Sequence, residues 1–361
     1  MKQVLIKPLW PNGLCNKIFE VAYPGPLQKW KNAAAENGIA LNTWDSMPLE
    51  VADCIWFLDL PETRKEYDIA RQKARKGIPF VLQVMETPLG RSANFDPLNH
   101  RFFEYLITYQ QGILTKKNTF TYRLPNCFAR NKRLEKPFKQ RKCAVMVNTN
   151  RLEGWLACRK PGLVGLPGLG QNFSGWHRPF WAIFLPAKGD LYRWRRNFAR
   201  LSAHKAPGLL EIYGPGWDGD RISWNPLINR SPYSNCVSKG TNCKLEIISN
   251  YRFTISVENF EGNKDYISEK IFEPMMSGSV PVYLGEEKIH DVIPDDAFVD
   301  VRNFKNQFEL LKYLQNCPES EWEKMYLCGQ EYLSSNNAKS FSTEDYVEKM
   351  LFILKKVLNI L

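Results

Sequence analysis

One run in the second half of this chain constrains its fold more than any other. From Tyr251 to Gly285 an apolar, β-rich stretch (Phe253 to Val257) gives way to a polar loop. An amphipathic stretch and a second buried apolar run (Val280 to Leu284) follow. The pattern reads as strand, loop, helix and strand, the repeating unit of a parallel sheet. Glu258-Asn259 stands where the first strand ends, and Glu269-Lys270 stands in the first turns of the helix. In open α/β sheets ligands bind outside that edge. Free N–H groups and the helix dipole favour an anion there, and a lysine beside them strengthens the preference. A neighbouring carboxylate suits ribose hydroxyls while the ammonium faces phosphate. The run is a place for a nucleotide.

The same alternation extends over the rest of the chain. Val4 to Ile6, Ile39 to Leu41, Cys54 to Leu60, Pro79 to Met85 and Leu106 to Tyr109 read as strands of a first set. Helices are expected from Pro26 to Asn37 with Gly38 as the stop, from Pro61 to Gly77, and near His100 to Tyr105. The basic, irregular stretch from Lys132 to Lys142 reads as a linker. Beyond it come strands at Cys143 to Val147 and Leu210 to Tyr213, an arginine-rich helix from Leu191 to Ser202, and the run described above. Ala297 to Val301 and a helix from Phe304 to Gln315 complete a second set. The Gly/Pro/Trp-rich segment from Leu163 to Lys188 is long for a loop inside a compact domain, and no chemical role is assigned to it. The tail reads as an amphipathic helix with Ser342 as N-cap and Glu344 and Asp345 in its first turn. Its apolar face carries Val347, Met350, Leu351, Leu354, Val357, Leu358 and Leu361.

At 361 residues the chain is long enough for two cores. The net charge of +11 bears on partners rather than fold. It suits an anionic nucleotide-sugar or an anionic membrane surface. Nucleic acid is not expected as a partner, because no block of five or more Lys/Arg occurs. The nine cysteines form no Cys-x-x-Cys pair, and Cys54 and Cys143 lie inside apolar strands. That argues for reduced thiols in a cytosolic protein, without a disulfide framework or zinc site. Met1 to Trp10 is too short and interrupted for a signal peptide, and no run of 18 apolar residues exists.

The Tyr251–Gly285 run resembles the donor-binding signature of the α1,3/4-fucosyltransferase family, glycosyltransferase family 10. Tyr251-Arg-Phe, Glu258-Asn259, Asp265-Tyr-Ile-Ser-Glu-Lys270 and Val280-Pro-Val-Tyr-Leu-Gly285 stand in the family's order. Arg252 replaces its usual lysine and Ser268 its usual threonine. The resemblance covers Lys244 to Leu361, and less closely Leu191 to Gly214 and Phe80 to Tyr109. It implies a GT-B architecture: two Rossmann-like α/β domains facing a central cleft. Residues 1–136 would bind the acceptor, residues 137–340 GDP-fucose, and residues 341–361 would form a helix crossing back onto the first domain. It also implies inverting transfer of L-fucose from GDP-β-L-fucose to a hydroxyl (α1,3 or α1,4) of a GlcNAc- or Glc-containing glycan, with no metal or other cofactor required. Animal members of the family carry an anchor and stem before the catalytic part, and neither is expected here. A cytoplasmic, bacterial-type enzyme acting on a lipopolysaccharide or other surface-polysaccharide precursor is therefore expected. Peripheral contact of the C-terminal helix with the inner membrane, through Lys355 and Lys356, is the minority reading.

Site residues follow from the same resemblance. Glu86, in Met-Glu-Thr-Pro after a buried strand, matches the family's proposed catalytic carboxylate and is the candidate base. In the arginine-rich helix, Arg196 is the preferred diphosphate ligand from its spacing to Phe198 and Leu201, with Arg195 in reserve. Lys270 is assigned to phosphate and Glu269 to ribose. Glu258 and Asn259 are expected to shape the fucose end, with Tyr266 closing it. Asp218-Gly-Asp220 mimics a metal motif but lies in a turn away from the run, and Gly165-Leu-Pro-Gly168-Leu-Gly170 is a proline-interrupted false dinucleotide motif. The rival readings are a transferase of the same fold using another nucleotide-sugar, and an inactive glycan-binding relative.

Overall fold

The computed structural model describes residues 1–20, 25–112, 118–128, 136–149, 175–177, 189–214, 217 and 241–361. The 163–188 segment (apart from 175–177), the Gly165–Gly170 motif, the Asp218-Gly-Asp220 turn and residues 132–135 of the expected linker lie outside those residues.

Two parallel sheets organise the chain. The first comprises β1 (Lys2–Lys7), β2 (Ile39–Thr43), β3 (Cys54–Leu58), β4 (Phe80–Gln83), β5 (Tyr105–Thr108) and β6 (Thr119–Thr121), in the order β2-β1-β3-β4-β5-β6. The second comprises β7 (Lys142–Val147), β8 (Leu210–Tyr213), β9 (Tyr251–Val257), β10 (Val280–Leu284) and β11 (Val299–Asp300), in the order β11-β10-β9-β7-β8. Every pairing among them is parallel. In both sheets the chain starts one strand in from an edge, adds that edge strand and then continues on the other side. The order therefore reverses beside β1 in the first sheet and beside β7 in the second, and such reversals open crevices at the strands' C-terminal ends.

The central strands are apolar on both faces, as strands covered by helices must be. β3 (Cys-Ile-Trp-Phe-Leu) is buried throughout, and so is β10. In the first core Trp30 and Trp56 are fully buried with ring centroids 5.0 Å apart. The second core gathers Phe198, Phe253, Val282 and Trp322. The C-terminal helix Thr343–Val357 joins the first core rather than the second, burying Tyr346, Met350, Ile353, Leu354 and Val357 there. Glu344 pairs with Lys29 at 2.8 Å, and Gln83 donates to the Tyr346 hydroxyl at 3.1 Å. Leu361, assigned to the apolar face, is exposed.

Several helices differ from expectation for local reasons. The helix expected from Pro61 spans Arg64–Lys73, because Thr63 and Glu66 form a reciprocal capping box that sets the start three residues later. No helix occupies His100 to Tyr105. A short one runs Pro97–His100, capped by Asp96, and β5 has begun by Tyr105. Ala297 to Val301 contributes only the two-residue strand Val299–Asp300. β6 and the helices Thr241–Ile248 and Glu319–Leu333 were not anticipated. Of the described cysteines Cys54 and Cys317 are buried, Cys127, Cys143 and Cys328 are half-buried, and Cys15 is exposed. No helix among the described residues is long and apolar enough to cross a membrane.

Candidate active site

A cavity of about 390 Å³ opens where the C-terminal ends of both sheets meet. The loops after β1 and β4 bring Trp10 and Glu86 to it, and those after β7 and β9 bring Asn148 and Asn259. Helix starts supply the rest of the charge: Arg195 from Leu191–Lys205, Lys244 from Thr241–Ile248, and Glu269 and Lys270 from Glu269–Met276.

Ser268 caps that last helix, and its side chain accepts from the Lys270 N–H at 3.3 Å. Its hydroxyl also lies 2.7 and 2.9 Å from the two Glu258 carboxylate oxygens, and its N–H donates to Glu258 at 3.1 Å. The Lys270 ammonium stands 3.2 Å from Glu258 and 3.4 Å from Glu269. Burial works to lower the Lys270 pKa, but Glu258 and Glu269 outweigh it and raise it, so the ammonium remains charged. For Glu269 burial acts upward, yet Lys270 and Lys244 bring its pKa down to about 2. Its side chain remains 46% exposed, so this carboxylate faces the cavity as an open acceptor.

Glu258 is placed differently from expectation. It is fully buried beneath Ser268 and Lys270, so it holds the lysine in place instead of shaping the cavity's far end. Gly285 makes this possible: a Cβ there would meet Glu258 Cγ at 2.5 Å. Asn259 does reach the cavity and accepts from Arg195 Nη2 at 2.9 Å.

The arginine preference is also corrected. Arg195, not Arg196, lines the cavity. Its Nε and Nη2 both donate to the Val257 carbonyl, and its guanidinium lies over the Tyr192 ring. One residue further along a helix is a rotation of about 100°, and Arg196 turns to Asp190, 4.0 Å away. Tyr266 does not line the cavity. Its ring packs edge-on against Tyr109 of the first half at 5.2 Å and against the first core.

Glu86 faces this cluster from the first sheet. Its N–H donates to Asp59 at 3.2 Å, and the Tyr109 hydroxyl donates to its carbonyl at 3.1 Å. Its carboxylate rests against Gly90, where a Cβ would stand 3.0 Å from Oε2. Sequence reasoning overlooked Trp10, Tyr192, Asn148 and Lys244 as lining residues. Their positions directly after strands or at helix starts were the available signal. The arrangement sets one carboxylate on one wall against fixed cations and an open carboxylate on the other, which suits an anionic ligand and a proton acceptor beside it.

Residues 225–350 match the model of glycosyltransferase family 10 (fucosyltransferase), C-terminal part. Over 122 residues the chain is 36% identical to the 4-galactosyl-N-acetylglucosaminide 3-alpha-L-fucosyltransferase 9 of Mus musculus, covering 29% of this chain and 33% of that protein. Over 167 residues it is 31% identical to the alpha-(1,3)-fucosyltransferase 7 of Rattus norvegicus, covering 43% and 39% respectively. The chain thus spans about a third of the length of the first of these relatives. A crystal structure of an alpha1,3-fucosyltransferase with GDP superposes with a TM-score of 0.53 at 14% identity, covering 99% of this chain and 90% of that one. An alpha-glucosyltransferase in complex with UDP and DNA gives 0.53 at 10% identity, covering 99% and 100%. The shared architecture is GT-B.

Proposed function

This chain belongs to glycosyltransferase family 10 through residues 225–350, and from that premise we propose that it is an inverting α1,3- or α1,4-fucosyltransferase. It moves L-fucose from GDP-β-L-fucose to a hydroxyl of a GlcNAc- or Glc-containing glycan. The observation that carries this reading is the cavity in which Glu86 faces Arg195, Glu269 and Lys270 from the opposite half.

In the proposed reaction the acceptor hydroxyl oxygen attacks the anomeric carbon of fucose from the face opposite the diphosphate. Its proton passes to the Glu86 carboxylate. The bond from the anomeric carbon to the diphosphate oxygen breaks, and the electron pair leaves with GDP. Negative charge grows on the diphosphate, so cations already in position lower the barrier most. Lys270, fixed by Glu258 and Ser268, and Arg195, fixed by Val257 and Asn259, are such cations. Glu269 accepts from the ribose hydroxyls. With side-chain cations in that role we propose no essential metal. The acceptor we propose is a surface-polysaccharide or lipopolysaccharide precursor met in the cytoplasm or at the inner membrane face, an assignment resting on family analogy.

Thermal-shift measurements with GDP, GDP-fucose, GDP-mannose and UDP-sugars test the donor, and a glycan panel with labelled GDP-fucose tests the transfer. Stabilisation by GDP and GDP-fucose with labelled product, undiminished in EDTA, is expected. Stabilisation by UDP-sugars but not by GDP would refute the assignment.

A further inference from the structure

Tyr109 directly follows β5 in the first half and reaches into the second. Its buried ring sits between Phe95 of its own half (centroids 6.3 Å) and Tyr266 of the other (5.2 Å). Its hydroxyl joins groups from both halves, donating to the Glu86 carbonyl at 3.1 Å and accepting from Asn263 Nδ2 at 3.0 Å. The second Asn263 contact, to Oδ1, is longer at 3.3 Å. A phenol has one proton, so the shorter pair defines a relay from amide to hydroxyl to carbonyl. Burial raises the phenol's pKa well above its ordinary value despite the opposing Asn263 bond, which keeps the proton in place.

A second tie runs parallel. Gln111 N donates to Asp265 Oδ2 at 3.0 Å, and Asp265 holds a left-handed φ of 63°. Both ties land on residues 263–265, immediately before the Ser268 cap and Lys270. At the other end, the Glu86 N–H is already held by buried Asp59. Tyr109 completes the set by holding the Glu86 carbonyl.

We propose that Tyr109 is a positioning residue that couples the loop leading to Ser268–Lys270 to the peptide of Glu86, so that a shift of one on ligand binding sets the other. Its consequence for turnover rests on the fucosyltransferase reading above; the coupling itself does not.

Tyr109→Phe keeps the ring and removes the hydroxyl. In amide hydrogen exchange on the full chain without ligand, exchange should quicken by at least about 5-fold in both 84–92 and 259–268, with distant strands unchanged. Faster exchange in only one of these segments, or in neither, overturns the coupling. In steady-state assays kcat should fall about 10-fold while KM for GDP-fucose stays within about 2-fold. Adding Asn263→Ala should cost little more, since both changes cut one relay. An unchanged kcat overturns the positioning role. If the wild-type protein turns over no GDP-fucose, the functional reading fails, and the exchange experiment alone decides whether the coupling exists.

Discussion

Glu86 and Arg195 show how single residues divide the work. Glu86 stands opposite the cations with both backbone polar groups held by buried side chains, so its carboxylate is aimed by a rigid peptide. Glu86→Gln should lower turnover by about 10²-fold while leaving GDP affinity unchanged, as isothermal titration would show. Unchanged turnover would remove Glu86 from the base role. Asp59 adds a signature in pH. Burial, opposed by the Met85 N–H and reinforced by the Glu86 charge, raises its carboxyl from 3.8 to about 7. The folded protein keeps this proton where the unfolded chain has lost it, so this contribution to stability fades as pH climbs from about 4 to about 7. Urea midpoints across that window should fall with pH, and Asp59→Asn should flatten the trend. A variant with the same slope as wild type would refute the assignment.

At the scale of elements, the strands were the legible part. β10 begins and ends where its apolar run does, because a buried parallel strand needs continuous apolar side chains. β8, at the sheet edge, alternates buried Leu210 and Ile212 with half-buried Glu211 and Tyr213. Helix starts depended on caps that outrank composition, as Thr63-x-x-Glu66 shows against Pro61. The start at Ser268 carries more than a cap, since the same hydroxyl satisfies buried Glu258. Ser268→Ala should therefore destabilise by about 1–3 kcal/mol, with weaker GDP binding as Lys270 loses its anchor. Ser268→Thr should restore both, since it keeps the hydroxyl. Denaturant unfolding and GDP titration of the two variants would check this, and equal behaviour of Ala and Thr would contradict it. Gly285→Ala should act on the same spot by pushing Glu258 out of its seat. The expected result is a lowered melting temperature with a parallel loss of GDP affinity.

On the scale of the whole molecule, the C-terminal helix closes the first core after the chain has built the second. Met350 and Leu354 are fully buried there. Met350→Ala should cost about 2–5 kcal/mol, measurable as a lower denaturant midpoint followed by tryptophan fluorescence. A loss below about 1 kcal/mol would mean that this helix contributes little to the first core. Amphipathic spacing showed that the tail needed a partner, but Tyr346 and Ile353 were missed. Their burial depends on the curvature of the receiving surface, which spacing does not encode.

The order of residues alone determined two parallel α/β sets, the strand–loop–helix–strand unit, and the carboxylate and lysine at its helix start. These follow from backbone hydrogen bonding and apolar periodicity, which act over a few neighbouring residues. Only the tertiary structure decided that Arg195 rather than Arg196 faces the cavity, that Glu258 lies beneath Lys270, and that Glu86 stands across from both. Those outcomes depend on side-chain direction and on contacts between segments far apart in the chain. No local pattern records them, because they come into being only where the C-terminal ends of the two sheets meet.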